Sequence, residues 1–286
     1  FRKQHGGLMI FQIIDDKKDC TGWFADGKLR AGSLPNNMTA TWDWSPRLGD
    51  ERVNLAKIYA KGKLLNDVCP PHLEDRWQAR QRKMKAHIKS FVASKVNMSD
   101  ICFYELVPSQ DIQHYYQTLN EITEWIVGNH QRPMNYSFLH DLMITCREIS
   151  QQEVQINWPL LKRFANTDKK AMYLARSCWD RKNAVNYNIF GTITGRLGLH
   201  EGSFPILNLK KEIRDCVIPQ NDLFVELDFN GAELRTLLNL SGHPQPTGDI
   251  HDWNQNNLFD DNISRDDAKT KIFAWLYNPT SRVIES

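Results

Sequence analysis

The alternation of apolar and polar positions predicts a mixed set of elements. Two apolar runs, Leu8–Ile14 and Gly22–Leu29, flank the polar stretch Asp15-Asp16-Lys17-Lys18-Asp19, the pattern of a β-hairpin. Residues 72–97 read as a helix with Trp77, Met84, Ile88 and Phe91 on one face. Arg76, Arg80, Arg82, Lys83, Lys85 and Lys89 spread over the rest of it. They read first as a solvated face, although clustered cations are also what a DNA backbone needs. Helices over 109–128 and 134–152 follow, split by Gly128 and Pro133, and Trp125, Ile126, Leu139, Leu142 and Met143 are placed to pack together. Strands are predicted near 170–176 and 184–193. The run Leu223-Phe224-Val225-Glu226-Leu227-Asp228 then reads as a buried strand, and Asn230-Gly231 turns the chain into a helix bearing Glu233 and Arg235.

The last element carries the most chemistry. Ser264 caps a helix in which Asp267 occupies the third position, a variant of the capping box, and Pro279 ends it. Arg265, Lys269, Phe273 and Tyr277 recur every four residues. Such steps drift by about 40° each, so the four form one stripe about 120° wide. Two cations lie near the positive helix start and two rings further along. That arrangement can hold a polyphosphate at the helix start and stack a base or sugar beyond it. Ala268, Ile272, Trp275 and Leu276 fall on a separate face that can bury itself. Asp228, at the end of its predicted strand, is a carboxylate suited to a hard divalent cation such as Mg²⁺.

Together these segments resemble the nucleotidyl-transfer motifs of family A DNA polymerases, the DNA polymerase I-like group. Asp228 falls on the family's first catalytic aspartate, in motif A, and Glu233 on the glutamate that blocks a ribose 2′-hydroxyl. The 265–277 stripe falls on motif B, the fingers helix that grips the incoming nucleotide. Thr192-Ile193-Thr194-Gly195-Arg196-Leu197 resembles a Thr-x-x-Gly-Arg-Leu segment whose arginine reads the primer-terminal minor groove. Asp249-Ile250-His251 resembles an Asp-Ile-His segment at the base of the fingers. Pro205, Leu207 and Asn208 fit a Pro-x-Leu-Gln run, with Asn208 in place of the glutamine. The resemblance covers roughly residues 105–286 and is sharp from 187 onward.

The resemblance implies an α+β chain with right-hand polymerase architecture: a partial palm sheet, a helical thumb and partial fingers, beside a small N-terminal α+β region. The expected division is 1–105 for that region, 106–165 for a helical connector and short thumb, 166–240 for the palm and 241–286 for the fingers. It implies template-directed DNA synthesis. Asp228 and the Phe229 carbonyl would bind Mg²⁺, and Arg265 and Lys269, with His251 assisting, would neutralise a deoxynucleoside triphosphate. Phe273 would pack on sugar and base, Tyr277 would stack near the template, and Arg196, with Thr194 and Asn208, would contact primer-template DNA.

Three departures stand beside the matches. Motif A reads Asp-Phe-Asn-Gly-Ala-Glu where the family has Asp-Tyr-Ser-Gln-Ile-Glu, and Asn278 replaces the glycine after the motif B tyrosine. The span between 150 and 187 is too short for the family's long helical thumb. Neither His140-Asp141 nor His251-Asp252 suits the second catalytic aspartate of motif C. The expectation is therefore a split polymerase, with a second polypeptide supplying motif C and the remaining fingers and palm. Alternatives from other classes are a single-subunit RNA polymerase, which Glu233 and Tyr277 oppose, and a non-catalytic primer-template-binding fragment.

Composition narrows this little. A net charge of +2 leaves nucleic-acid binding to local patches. With 41% hydrophobic residues the chain can bury one large core or two to three small ones. No apolar run reaches membrane-spanning length, and the opening residues do not read as a signal peptide, so no membrane partner and a cytoplasmic site, a bacterial host cell for a phage-type enzyme, are expected. Opening on Phe1 instead of Met, the sequence is expected to lack its true start. Six scattered cysteines without a Cys-x-x-Cys pair read as thiols, and there is no Gly-rich phosphate loop. Asp15 and Asp16 have a faint likeness to the start of a proofreading exonuclease, but the Glu of its Asp-x-Glu pair is missing, so they read as turn carboxylates.

Overall fold

In the computed structural model, residues 9–15, 22–36, 38–48, 53–98, 101–179, 183–259, 263–278 and 280 are described. The chain is α+β and divides into two compact units, 1–220 and 221–286.

The first unit is built on a mixed sheet. Strand β1 (Met9–Asp15) lies at its centre, antiparallel to β2 (Gly22–Ala25), which is antiparallel to β3 (Lys28–Ala31). On its other side β1 runs parallel to β4 (Met38–Thr41), and β4 parallel to β5 (Asn54–Leu55). The order is therefore β3-β2-β1-β4-β5. The predicted strand over 22–29 is two strands. Asp26 and Gly27 both take positive φ, 49° and 71°, the two-residue turn that an Asp-Gly pair favours because its twist matches the flanking strands. Asp15 is the last residue of β1 and is buried, so it is no turn carboxylate. Asp16 and the rest of that predicted turn lie outside the described residues.

Short helices α1 (Ala56–Tyr59) and α2 (Leu65–Val68) lead into α3 (Pro71–Ala93), and α4 (Phe103–Leu106) precedes α5 (Ser109–Asn129). Helix α5 covers the sheet through a polar seam inside the apolar core. The fully buried Gln12 donates to Thr123 Oγ1 at 2.9 Å and accepts from the Trp42 N–H at 3.1 Å. Asn120 donates to the Ile10 carbonyl at 3.2 Å, and the Tyr116 hydroxyl to that of Ile14 at 3.3 Å. Burying an amide without partners is costly, so these bonds fix the helix over the sheet. Trp77 of α3 packs its ring 4.9 Å from Tyr115. Of the face predicted for α3, Trp77 and Met84 are buried and Phe91 partly so, but Ile88 is exposed. Helix α6 (Tyr136–Gln151) joins the same core, where Leu139 and Met143 pack with Trp125 and Ile126, and the Tyr136 hydroxyl accepts from the Leu55 N–H at 2.8 Å.

A second core of the first unit gathers β6 (Gln155–Ile156), α7 (Trp158–Ala165), α8 (Lys169–Cys178), the bridge β7 (Tyr187–Asn188) to β8 (Gly198–Leu199), α9 (Lys211–Arg214), and β9 (Val217–Ile218), which pairs with β6. The strand predicted near 170–176 is helix α8. Asp168 caps it by accepting from Lys170 N at 2.7 Å and Ala171 N at 3.1 Å, and Lys, Ala, Met and Leu within it favour helix. The strand predicted over 184–193 is reduced to the two residues of β7. Cys102 is disulfide-bonded, against the reading of all six cysteines as thiols, while Cys69, Cys146, Cys178 and Cys216 are free. Scatter along a sequence does not set which sulfurs meet in space.

The second unit holds α10 (Ala232–Leu240), α11 (Ile250–Leu258) and α12 (Arg265–Tyr277) around a small core of Leu234, Ile250 and Ile272. Ile272 is thus covered, whereas Trp275, expected to bury, is 38% exposed. The largest correction concerns 223–228. It forms no strand: residues 221–230 are all exposed, with Leu227 at 90% and Phe229 at 84%. A strand needs a neighbour for its backbone groups, and no described residue of this unit is in a strand. Among the described residues no helix is long and apolar enough to cross a membrane.

Candidate functional site

The capping box predicted for α12 is formed. Ser264 Oγ accepts from Asp267 N at 3.1 Å and donates to Asp267 Oδ2 at 2.6 Å, which fixes where the helix begins and so which residues share a face. Phe273 and Tyr277 stack with ring centres 6.1 Å apart at 17°. The ring of His251, from α11, stands 5.8 Å from Phe273 and is tilted 48° to it, so it borders the stacked pair and does not continue the stack. Lys269, one turn before Phe273, is exposed and pairs with no described carboxylate.

Arg265, the other cation of the stripe, is already engaged. Its Nη2 lies 2.7 Å from Asp249 Oδ2, its Nε 2.9 Å from Asp252 Oδ1, and its Nη1 3.7 Å from Asp266 Oδ1. Asp249 also caps α11, accepting from His251 N at 2.8 Å and Asp252 N at 3.0 Å. The Arg265 guanidinium, opposed by partial burial and aided by these N–H groups and Asn230, holds the Asp249 carboxyl well below the usual carboxylate range. Arg265 therefore clamps α12 to α11. Its net charge toward a ligand is largely cancelled.

His251 is 5% exposed, and its Nδ1 is buried with no hydrogen-bond partner. Burial, with Lys269 nearby, pushes its imidazole down from the ordinary histidine value, so it is neutral at pH 7.

The segment between Asp228 and α11 is welded together by Asn230 and Arg235. Asn230 donates to Asp249 Oδ2 at 2.6 Å and accepts from Ile250 N at 2.9 Å. Arg235 Nε donates to the Asn230 carbonyl at 2.8 Å and Nη2 to that of Gly248 at 2.6 Å. Gly231 starts α10 with φ +61°, and an added Cβ there would lie 2.3 Å from Ile250 Cγ2. The sequence reading singled out neither Asn230 nor Arg235 for this role. Their signal was side chains with several donors or acceptors flanking a glycine turn.

Compared with known proteins, this chain matches no family model, no curated protein and no solved structure.

The other predicted site residues are placed as follows. Glu233 lies half-buried on the first turn of α10. Asp228 and Phe229 sit on the exposed, irregular segment. Thr194, Arg196 and Asn208 are exposed in the first unit, and Thr192 Oγ1 donates to the Arg196 carbonyl at 2.7 Å to close that loop. For Mg²⁺, Asp228 offers a carboxylate and Phe229 one carbonyl oxygen. Among the described residues no three His, Cys, Asp or Glu side chains converge to hold a metal, and an octahedral ion needs six ligands. These residues alone do not make the site.

The first unit also holds a cavity of about 150 Å³ that the sequence reading missed, lined by Asp43, Lys57, Arg147 and His200 beside Trp44 and Tyr187. Asp43 is exposed at its mouth, and the protein crowding around the carboxyl desolvates and raises it against the pull of Lys57 and Arg147. Its lining comes from positions more than 150 residues apart in sequence, from Asp43 to His200, which leaves no local motif.

Proposed function

We propose that this chain takes part in template-directed DNA synthesis, with residues 221–286 gripping the triphosphate of an incoming deoxynucleotide. One observation carries the reading: an unpaired cation, Lys269, leads into the stacked rings of Phe273 and Tyr277, with the tilted ring of His251 beside them. Phosphate chemistry needs an uncompensated cation, and a base or sugar needs flat apolar surface beside it.

In this reading Lys269 binds the phosphates directly. Neutral His251 offers a hydrogen bond, not a charge, and its unpartnered Nδ1 gains a partner if the ring shifts on binding. Phe273 packs on the sugar and Tyr277 toward the base. Arg265 sets the angle of α12 and adds phosphate charge neutralisation only where it releases Asp249 or Asp252. Glu233 restricts the 2′ position by bulk. Thr194, Arg196 and Asn208 are assigned to primer-template DNA. Mg²⁺ is assigned to Asp228 and Phe229 with ligands from elsewhere.

The exposed segment 223–229 bears on the partner. Leu223, Val225, Leu227 and Phe229 alternate with Phe224, Glu226 and Asp228, the period of a strand with one wholly apolar face and one mixed face. Its backbone bonds to no described residue. Strands of another polypeptide, carrying motif C, would satisfy it and order Asp228. The same exposure supports the second reading, a non-catalytic primer-template-binding chain in which Asp228 is never ordered.

Primer extension separates them. The purified chain alone should extend a primer poorly with deoxynucleotides and Mg²⁺, and a co-purified completing polypeptide should restore extension. Glu233→Ala should then raise ribonucleotide use. Robust extension by the chain alone contradicts the split arrangement, and no extension in any combination favours the non-catalytic reading.

A further inference from the structure

Helix α3 carries Arg76, Arg80, Arg82, Lys83, Lys85 and Lys89 with no acidic residue between Arg76 and Ala93. The fold sorts five of these six cations into two sets, and Arg80 is half-buried. Toward α5, Arg76 pairs with Glu121, Lys83 with Asp111 at 2.6 Å, and His87 with Asp111 at 2.9 Å. On the opposite side Arg82, Lys85 and Lys89 are exposed and bond to no described residue. At about 100° per residue these three fall within a wedge of roughly 60°, on the side away from buried Trp77 and Met84, and span about 10 Å along the axis.

Their placement is not explained by helix stability. Like charges three and four residues apart weaken a helix, and the favourable effect of cations on the helix dipole is confined to the last turn. Arg82 and Lys85 lie in the middle of a helix of 23 residues. Glu74 and Asp75 sit at its start, about two turns before Arg82, and leave the stripe uncompensated.

We propose that the outward stripe Arg82–Lys85–Lys89 docks on the phosphate backbone of duplex DNA. The inference rests on the reading that this chain works on DNA and adds a second contact, on a different unit from the nucleotide grip. A duplex is favoured over a single strand because single-strand sites add aromatic rings for stacking bases, and the stripe has none: Trp77 is buried on the other face. Three regularly spaced cations suit a repeating phosphate array, which is read by charge and without sequence preference.

The test is fluorescence anisotropy of a labelled blunt duplex with the full chain between 50 and 200 mM salt. Arg82→Gln/Lys85→Gln/Lys89→Gln should melt no lower than wild type by circular dichroism, since all three are exposed and only their mutual repulsion is removed. Its slope of log affinity against log salt should be shallower by about 2.7, or 0.9 for each of three lost phosphate contacts. Affinity at 50 mM salt should fall at least about tenfold. An unchanged slope, or no duplex binding by the wild type, overturns the proposal. So does loss of binding to phosphatidylserine–phosphatidylcholine vesicles with none on duplex, which would make the stripe a membrane contact. Lys269→Ala, run in parallel, should leave the duplex slope alone while weakening triphosphate binding. A triple variant that binds duplex normally beside a defective Lys269→Ala sinks this inference and spares the nucleotide grip; the reverse pattern spares the stripe.

Discussion

Adding a single methyl group at Gly231 would place a carbon 2.3 Å from Ile250 while forcing a side chain into the left-handed region. Gly231→Ala should therefore cost more than the about 1–3 kcal/mol of backbone strain alone, and loosen α10 against α11. Hydrogen exchange across 232–258 reads this directly, and wild-type protection in the variant would contradict the packing. The Asp249 carboxyl gives the same unit a pH dependence. Its folded pKa is depressed, so the stability it contributes is present above the unfolded value of about 3.9 and is lost as pH falls below that value. His251, whose folded pKa is also lowered, adds a loss that begins as pH falls through about 6.5, because the unfolded chain then binds the proton more readily. Acid titration of the second unit should show both phases, and Asp249→Asn should remove the lower one while weakening the hold on Arg265.

At the scale of elements, the capping box at Ser264 and Asp267 and the four-residue stripe were legible because both are local and periodic. The helices read over 109–128 and 134–152 were legible for the same reason. Three features were not. The Asp26-Gly27 turn lies inside an apolar run that reads as one strand until both positive φ values are known. Helix α8 reads as a strand in the sequence because a short apolar stretch carries either period, and only the Asp168 cap distinguishes the two. The run 223–228 has the right period, but a strand forms only beside another strand, and no strand partner stands among the described residues of its unit. Amides of 223–229 should accordingly exchange at near-unprotected rates in the chain alone. They should become protected when strands of a completing polypeptide are bound. Rapid exchange in both states would show that this segment is not where the second polypeptide docks.

For the whole molecule, two units with unequal cores imply unequal stability. The first buries large side chains throughout, and Trp77→Ala should cost about 3–5 kcal/mol there. The second rests on Leu234, Ile250 and Ile272, a core small enough that bound ligand or partner should raise its melting point measurably. The nearness of His251, Lys269, Phe273 and Tyr277 was legible in the sequence. The electrostatics around them were not, because the pairing of Arg265 with Asp249 and Asp252 depends on how α11 meets α12. That difference gives the central claim its most direct test, isothermal titration of the chain with a deoxynucleoside triphosphate and with the corresponding monophosphate. The wild type should bind the triphosphate more tightly, and Lys269→Ala should lose roughly tenfold to a hundredfold in triphosphate affinity, the worth of one charged hydrogen bond, with monophosphate binding little changed. Equal triphosphate affinity in wild type and Lys269→Ala would contradict the account.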